Sequence, residues 1–245
     1  MEQEVKFTES DAKCRVEGIQ TIKGGEFDSV RVSGVVTIQG DIVTNKMRLE
    51  GVSTVKGLVK AARLQVSGVT NIANDIVSNK IKVEAVMNLS GNLKAGELEI
   101  QGVIRSKGEK VEAEMISCKG VLDFAGEISA DVIKAEGMIR ADEICGDQIC
   151  IESVSAEPYQ WIKKGIRSLI GLEEGGKENF SRVDLIEGTT IVLKNVCAKE
   201  VNGHDITIGD NCTIDKVDCD GTLCVSRSAT IKEITGEHEF VEKTV

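Results

Sequence analysis

The sequence predicts an all-β parallel solenoid, and three observations carry that expectation. Two glycine columns share one frame, apolar columns are locked to the same frame, and aromatic residues make up only 3% of the chain. Glycine recurs at Gly18, Gly34, Gly51, Gly68, Gly102, Gly120 and Gly137, with Ala85 in the one vacant place, so successive members stand 16 to 18 residues apart and average 17. A second column trails the first by six residues, at Gly24, Gly40, Gly57, Gly91, Gly108 and Gly126, with Asn74 where the frame asks for a residue that tolerates φ > 0.

The positions between the glycines decide for strand. Two residues before the first column stand Val16, Val32, Leu49, Val66, Val83, Ile100, Cys118 and Ala135. One residue after it stand Ile19, Val35, Val52, Val69, Val86, Val103, Val121 and Met138. Four after it come Ile22, Ile38, Val55, Ile72, Leu89 and Phe124, and thirteen after it Met47, Leu64, Ile81, Leu98, Met115 and Ile133. Short β-branched runs between such frequent glycines suit strands, because each glycine inside a helix would cost about 1 kcal/mol. Three short strands per turn are expected, with Val69 among the side chains of the dry interior. The strongest internal match sets residues 41–46 against 75–80, which differ only by Thr44 against Ser78 and lie two turns apart. A coil of about 17 residues cannot bury its apolar side alone, so turns must stack and pair in parallel, about 4.8 Å per layer.

Composition and charge bound the remaining classes. With 41% hydrophobic and 29% charged residues the chain is globular. A net charge of −10 leaves no basic stripe for a general nucleic-acid binder, so none is expected as a partner. A single proline fits a chain of ladder-forming strands. Residues 1–6 carry no apolar signal region, and no run of 18 apolar residues occurs, so a cytoplasmic protein is expected. Cys118, Cys145 and Cys150 fall in or beside the apolar columns, so the eight cysteines are expected to be small buried hydrophobes in a reducing compartment, and Cys212, Cys219 and Cys224 cluster without the C-x-x-C pair of a metal site.

The frame divides the chain. Residues 1–15 form an N-terminal segment, 16–155 a β-helix of repeated turns, 156–182 an insertion, 183–236 a continued or second short β-helix, and 237–245 a polar tail. The insertion holds the chain's only proline, tyrosine and tryptophan, and residues 158–172 follow a helical period. At 100° per residue Trp161, Ile162, Ile166, Leu169 and Ile170 share one side, while Lys163, Lys164 and Arg167 take the other. This amphipathic helix is expected to pack on the flank of the coil or over its end, to dock on an anionic membrane surface at the inner face of the cell membrane, or to bind a partner protein or second copy.

Catalytic material is sparse. His204 and His238 are the only histidines, and no P-loop, Rossmann fingerprint or G-x-S-x-G turn is present, so no catalytic site, metal or cofactor is expected.

Units such as Val32-Ser33-Gly34-Val35-Val36-Thr37-Ile38-Gln39-Gly40-Asp41-Ile42 and Val66-Ser67-Gly68-Val69 resemble those of the bactofilins, the polymer-forming bacterial cytoskeletal proteins. The resemblance covers about 16–155 well and 183–236 loosely, as in a divergent, longer member. It implies a right-handed triangular β-helix that joins end to end into nucleotide-independent filaments. Such a scaffold would serve cell shape, envelope or motility functions, with its own copies and other cytoskeletal or envelope proteins as partners. Two alternatives stand beside it. Residues 206–214, just after His204, look like the hexapeptide repeat of left-handed β-helix acyltransferases. A non-polymerising, partner-binding β-helix, similar to the C-terminal domain of a septum-site inhibitor, is the other.

Overall fold

The computed structural model describes residues 6–153 and 181–241. Every regular element among them is a β-strand, and every strand pairing is parallel. The pairings join residues one turn apart: Val35 lies beside Val52, Val52 beside Val69, Val69 beside Val86, and Val86 beside Val103. The chain is therefore a parallel β-helix of about 11 turns.

A regular turn contains a four-residue strand such as Val52–Val55 and an eight-residue strand such as Val59–Val66. The longer strand bends at its middle. Ala61 pairs with Ser78 and Arg63 with Lys80, whereas Ala62 has no ladder partner in this register. The three strands expected per turn are thus two, the second bent so that each turn has three straight segments. Corners between turns are held by side chains as well as by backbone. Asp41 Oδ1 accepts the Leu58 amide and Asp75 Oδ1 the Asn92 amide, both at 2.8 Å, which accounts for the match between 41–46 and 75–80.

The interior is a set of stacked aliphatic columns. The column two residues before the first glycine is buried from Val16 to Ala135, and in the column four after it Ile38, Val55, Ile72, Leu89 and Phe124 are buried. The next inward column is not the one the apolar pattern selects. Strand side chains alternate between faces, so two neighbouring positions cannot both point inward. Val36, Ser53, Thr70, Met87, Ile104, Leu122 and Ile139 face the core, and Val69 lies half-buried on the outside. The apolar pattern misleads here because Ser53 Oγ and Thr70 Oγ1 hydrogen-bond to each other at 2.9 Å, which satisfies both hydroxyls inside the core. Met115 is a second correction. The turn from Gly102 to Gly120 has one extra residue, so Ile116 pairs with Leu98 and fills the core while Met115 is 44% exposed.

The second block stacks directly on the first. Ala141 pairs with Val183, and the strands Met138–Glu152 and Ser181–Lys194 stay in register from Arg140 against Arg182 to Glu152 against Lys194. The coil is left at Ser153 and resumed at Ser181, where the two hydroxyls lie 2.6 Å apart. Ser153 donates to the Gly137 carbonyl at 3.0 Å, and Ser181 Oγ accepts the Ile139 amide at 3.0 Å. The seam is thereby closed by a hydrogen-bond chain in which the Ser181 hydroxyl donates to Ser153. The amphipathic helix expected over 158–172 lies outside the described residues.

Candidate functional site: the open ends and outer face of the coil

The apolar columns run the length of the coil, so its first and last turns must expose what interior turns cover. The partly buried hydrophobics packed against the core are Cys14, Ile22 and Phe27 in the first turn and Val225, Ala229 and Ile231 in the last turns. Beyond them Phe240 is 68% and Ile234 37% exposed. Among the described residues the strands Thr230–Thr235 and Glu239–Phe240 pair on one side only, with Thr213–Cys219 and Thr222–Val225. A strand with unpaired N–H and C=O groups beside an unfinished apolar column is a template for another layer. These residues are hard to single out in sequence, because they belong to the same columns as buried ones and differ only in being at an end.

The corner glycines Gly18, Gly34, Gly51, Gly68, Gly102, Gly120 and Gly137 stack as one column. Their neighbours one position on pair in turn as Val35, Val52, Val69, Val86, Val103, Val121 and Met138, an apolar column about half exposed at Val35 and Val52 but buried at Val103. The column ends beside the seam where the chain leaves the coil. The residues Trp161, Ile162, Lys163, Lys164, Ile166, Arg167, Leu169 and Ile170 lie outside the described residues.

Outer charges form rung-to-rung ladders. Lys80 meets Glu97 at 2.7 Å, Lys110 meets Glu127 at 2.9 Å and Lys216 meets Glu200 at 2.9 Å, each pair spanning adjacent turns. Exposed pairs of this kind stabilise by about 0.2–1 kcal/mol each and fix register more than they add stability. Glu84 is held below the usual carboxylate range by hydrogen bonds from Ser67, Gln65 and Lys82.

Two polar clusters bring titratable groups together. Glu143, Cys145 and Glu187 place their ligand atoms within 4.8 Å of one another. Burial, then the bond to Glu143 and the surrounding carboxylates, push the Cys145 thiol up to about 12. The thiol donates to Glu143 Oε1 at 3.2 Å. The second is a cleft lined by Asn202, His204, Asp218 and Asp220, in which His204 Nδ1 lies 2.9 Å from Asp220 Oδ1. That bond, then the charge of Asp205, raises the imidazole above its ordinary value. In the hexapeptide-like stretch Ile206, Ile208, Cys212 and Ile214 face the core. Cysteines behave unevenly. Cys118, Cys212 and Cys219 are buried, the other five are partly so, and burial pushes Cys118 up to about 12.

Among the described residues no helix is long and apolar enough to cross a membrane. No protein-family model, curated protein or solved structure matches this chain.

Proposed function

We propose that this protein is a non-enzymatic scaffold that assembles by stacking the ends of its β-helix, in the manner of a bacterial cytoskeletal polymer. The observation that carries the reading is that, among the described residues, apolar side chains at both extremities are only partly covered, with Cys14, Ile22 and Phe27 at one and Ile231, Ile234 and Phe240 at the other. A second copy laid on such an end continues the columns at the same layer spacing, about 4.8 Å, and removes apolar surface from water at about 25 cal/mol per Å². Assembly of this kind needs no nucleotide, and its cytoplasmic setting and cell-shape, envelope or motility role follow from the resemblance to bactofilins.

Electron microscopy and sedimentation of the purified protein without nucleotide test this. Filaments are expected for the native protein, and Ile234→Glu with Phe240→Glu should abolish them while leaving the melting of the coil unchanged. Discrete monomers or dimers at high concentration would overturn polymerisation and favour the partner-binding alternative. Acyl transfer from acyl-CoA, lost in His204→Ala, would instead favour the acyltransferase.

A further inference from the structure

The outer charge ladders have a gap beside the seam. In the column that runs through Lys110, Glu127, Glu143, Leu185, Glu200 and Lys216, the acids Glu127 and Glu200 each meet a lysine one turn away. Glu143 does not, since its neighbours in the column are Glu127 and Leu185. Two positions along its strand stands Cys145, whose ladder partner on the next turn is Glu187. Ile144 and Ile186 fill the core, so Glu143, Cys145 and Glu187 all face outward. Neither glutamate is in an ion pair among the described residues.

We propose that Glu143, Cys145 and Glu187 form a binding site for a borderline-soft divalent cation such as zinc, held by the Cys145 sulfur and one oxygen from each carboxylate. The inference is independent of end stacking. The three ligand atoms lie within 4.8 Å of one another, and Cys145 Sγ is already 3.2 Å from Glu143 Oε1. Around a tetrahedral zinc such atoms stand about 3.3 to 3.5 Å apart, so the glutamate side chains need only turn while the paired backbone stays in place. The donor set selects the metal. A thiolate favours zinc or cadmium over calcium and magnesium, which take oxygen ligands. As the metal–sulfur bond forms, the thiol proton passes to solvent, which leaves three anionic ligands on the cation. Asn202 supplies a separate sign. It is the ladder partner of Glu187 and donates Nδ2 to Glu187 Oε1 at 3.2 Å, yet its Oδ1 is buried without a partner among the described residues. With its carboxamide turned over, that oxygen becomes a fourth donor on the side of Glu187. Glu143 and Cys145 precede the excursion and Glu187 follows it, so the cation ties the two blocks of the coil together. No local motif marks the site, because Cys145 and Glu187 are 42 positions apart.

The test uses the full chain, reduced and stripped with a chelator, then titrated with cadmium or zinc. Cadmium should give a sulfur-to-metal charge-transfer absorption that saturates at one equivalent, and zinc should displace it and raise the melting temperature. Cys145→Ser should abolish both signals, while Cys150→Ser, at the other half-buried cysteine of that strand, should leave them unchanged. Glu187→Gln should weaken binding by about tenfold or more. Because Glu187 is exposed, this variant decides the matter if Cys145→Ser disturbs the far-ultraviolet β-signal. No saturating absorption, absorption that survives Cys145→Ser in a folded coil, or an affinity indifferent to Glu187→Gln would overturn the proposal. So would calcium that competes as well as zinc.

Discussion

One corner of the coil is built in two ways. Before the seam it is a glycine column, and after it the same position passes through Ser153 to Asn195 and Asn211. At Gly51 and Gly68 the backbone is not in the left-handed region, whereas Asn195 and Asn211 adopt φ of 55° and 56°. In the same column Gly18 and Gly34 do have positive φ, 80° and 153°, but Gly51 and Gly68 are needed for a different reason. A Cβ on Gly51 would run into the carbonyl oxygen of Gly34, and one on Gly68 into that of Gly51. The asparagines tolerate the left-handed conformation and link the rungs through their side chains. Asn211 Nδ2 donates to Asn195 Oδ1 at 3.0 Å, and Asn195 Nδ2 donates to the Ser153 carbonyl. Turns in the glycine stretch repeat at 16 to 18 residues, while Val183 pairs with Ala198 and Ala198 with Ile214 at 15 and 16. The same corner thus accepts either a missing side chain or a bonded one.

The sharpest way to break this comparison is Gly68→Val. If close approach is the constraint, a branched side chain should destabilise the coil by about 3 kcal/mol, the upper end of the overpacking range, read as a lower midpoint in urea. An unchanged midpoint would show that the column is not sterically required. A smaller effect is expected at the other kind of corner. Asn195→Ala loses both the left-handed preference and the amide ladder, together about 2 kcal/mol, whereas Asn195→Gly loses only the ladder, about 1 kcal/mol. Equal losses in the two variants would remove the conformational half of the argument. The smallest effect belongs to Ala85, the one methyl in the glycine column. At its rung the Val86 amide reaches the Gly68 carbonyl at 3.2 Å, against 2.9 Å for Val69 to Gly51 and for Val121 to Gly102. Ala85→Gly relaxes that bond but frees the unfolded chain, so thermal melting should register a net change within about 0.5 kcal/mol. A gain well above that would mean that the methyl strains its rung.

The coil, its repeat length and three of its inward columns were legible in the sequence because each rests on one residue per turn, repeated many times, whereas the buried column of Ile42, Val59, Ile76, Leu93, Val111 and Ile128 was not singled out. The outer column was misplaced because hydropathy cannot see that Ser53 and Thr70 satisfy each other inside. Met115 was misplaced because a fixed frame does not anticipate one extra residue in a turn. Whether the block after the insertion continues the stack depends on where an excursion closes. Ser153 and Ser181 carry no signal of that closure, since two serines become partners only when the rungs on either side are in place. The end residues follow the same logic. Ile234 repeats Val217 one turn earlier, and only its position at the last layer makes it exposed.

The closed seam has a further consequence. Because the chain departs and returns at hydrogen-bond distance, the ladder is indifferent to how long the detour is. Doubling such a loop adds only about 0.6 kcal/mol of closure entropy. A rod of this design can therefore acquire, enlarge or exchange a side appendage at one address without changing its own rise or register, which separates the inheritance of the shaft from that of whatever it carries.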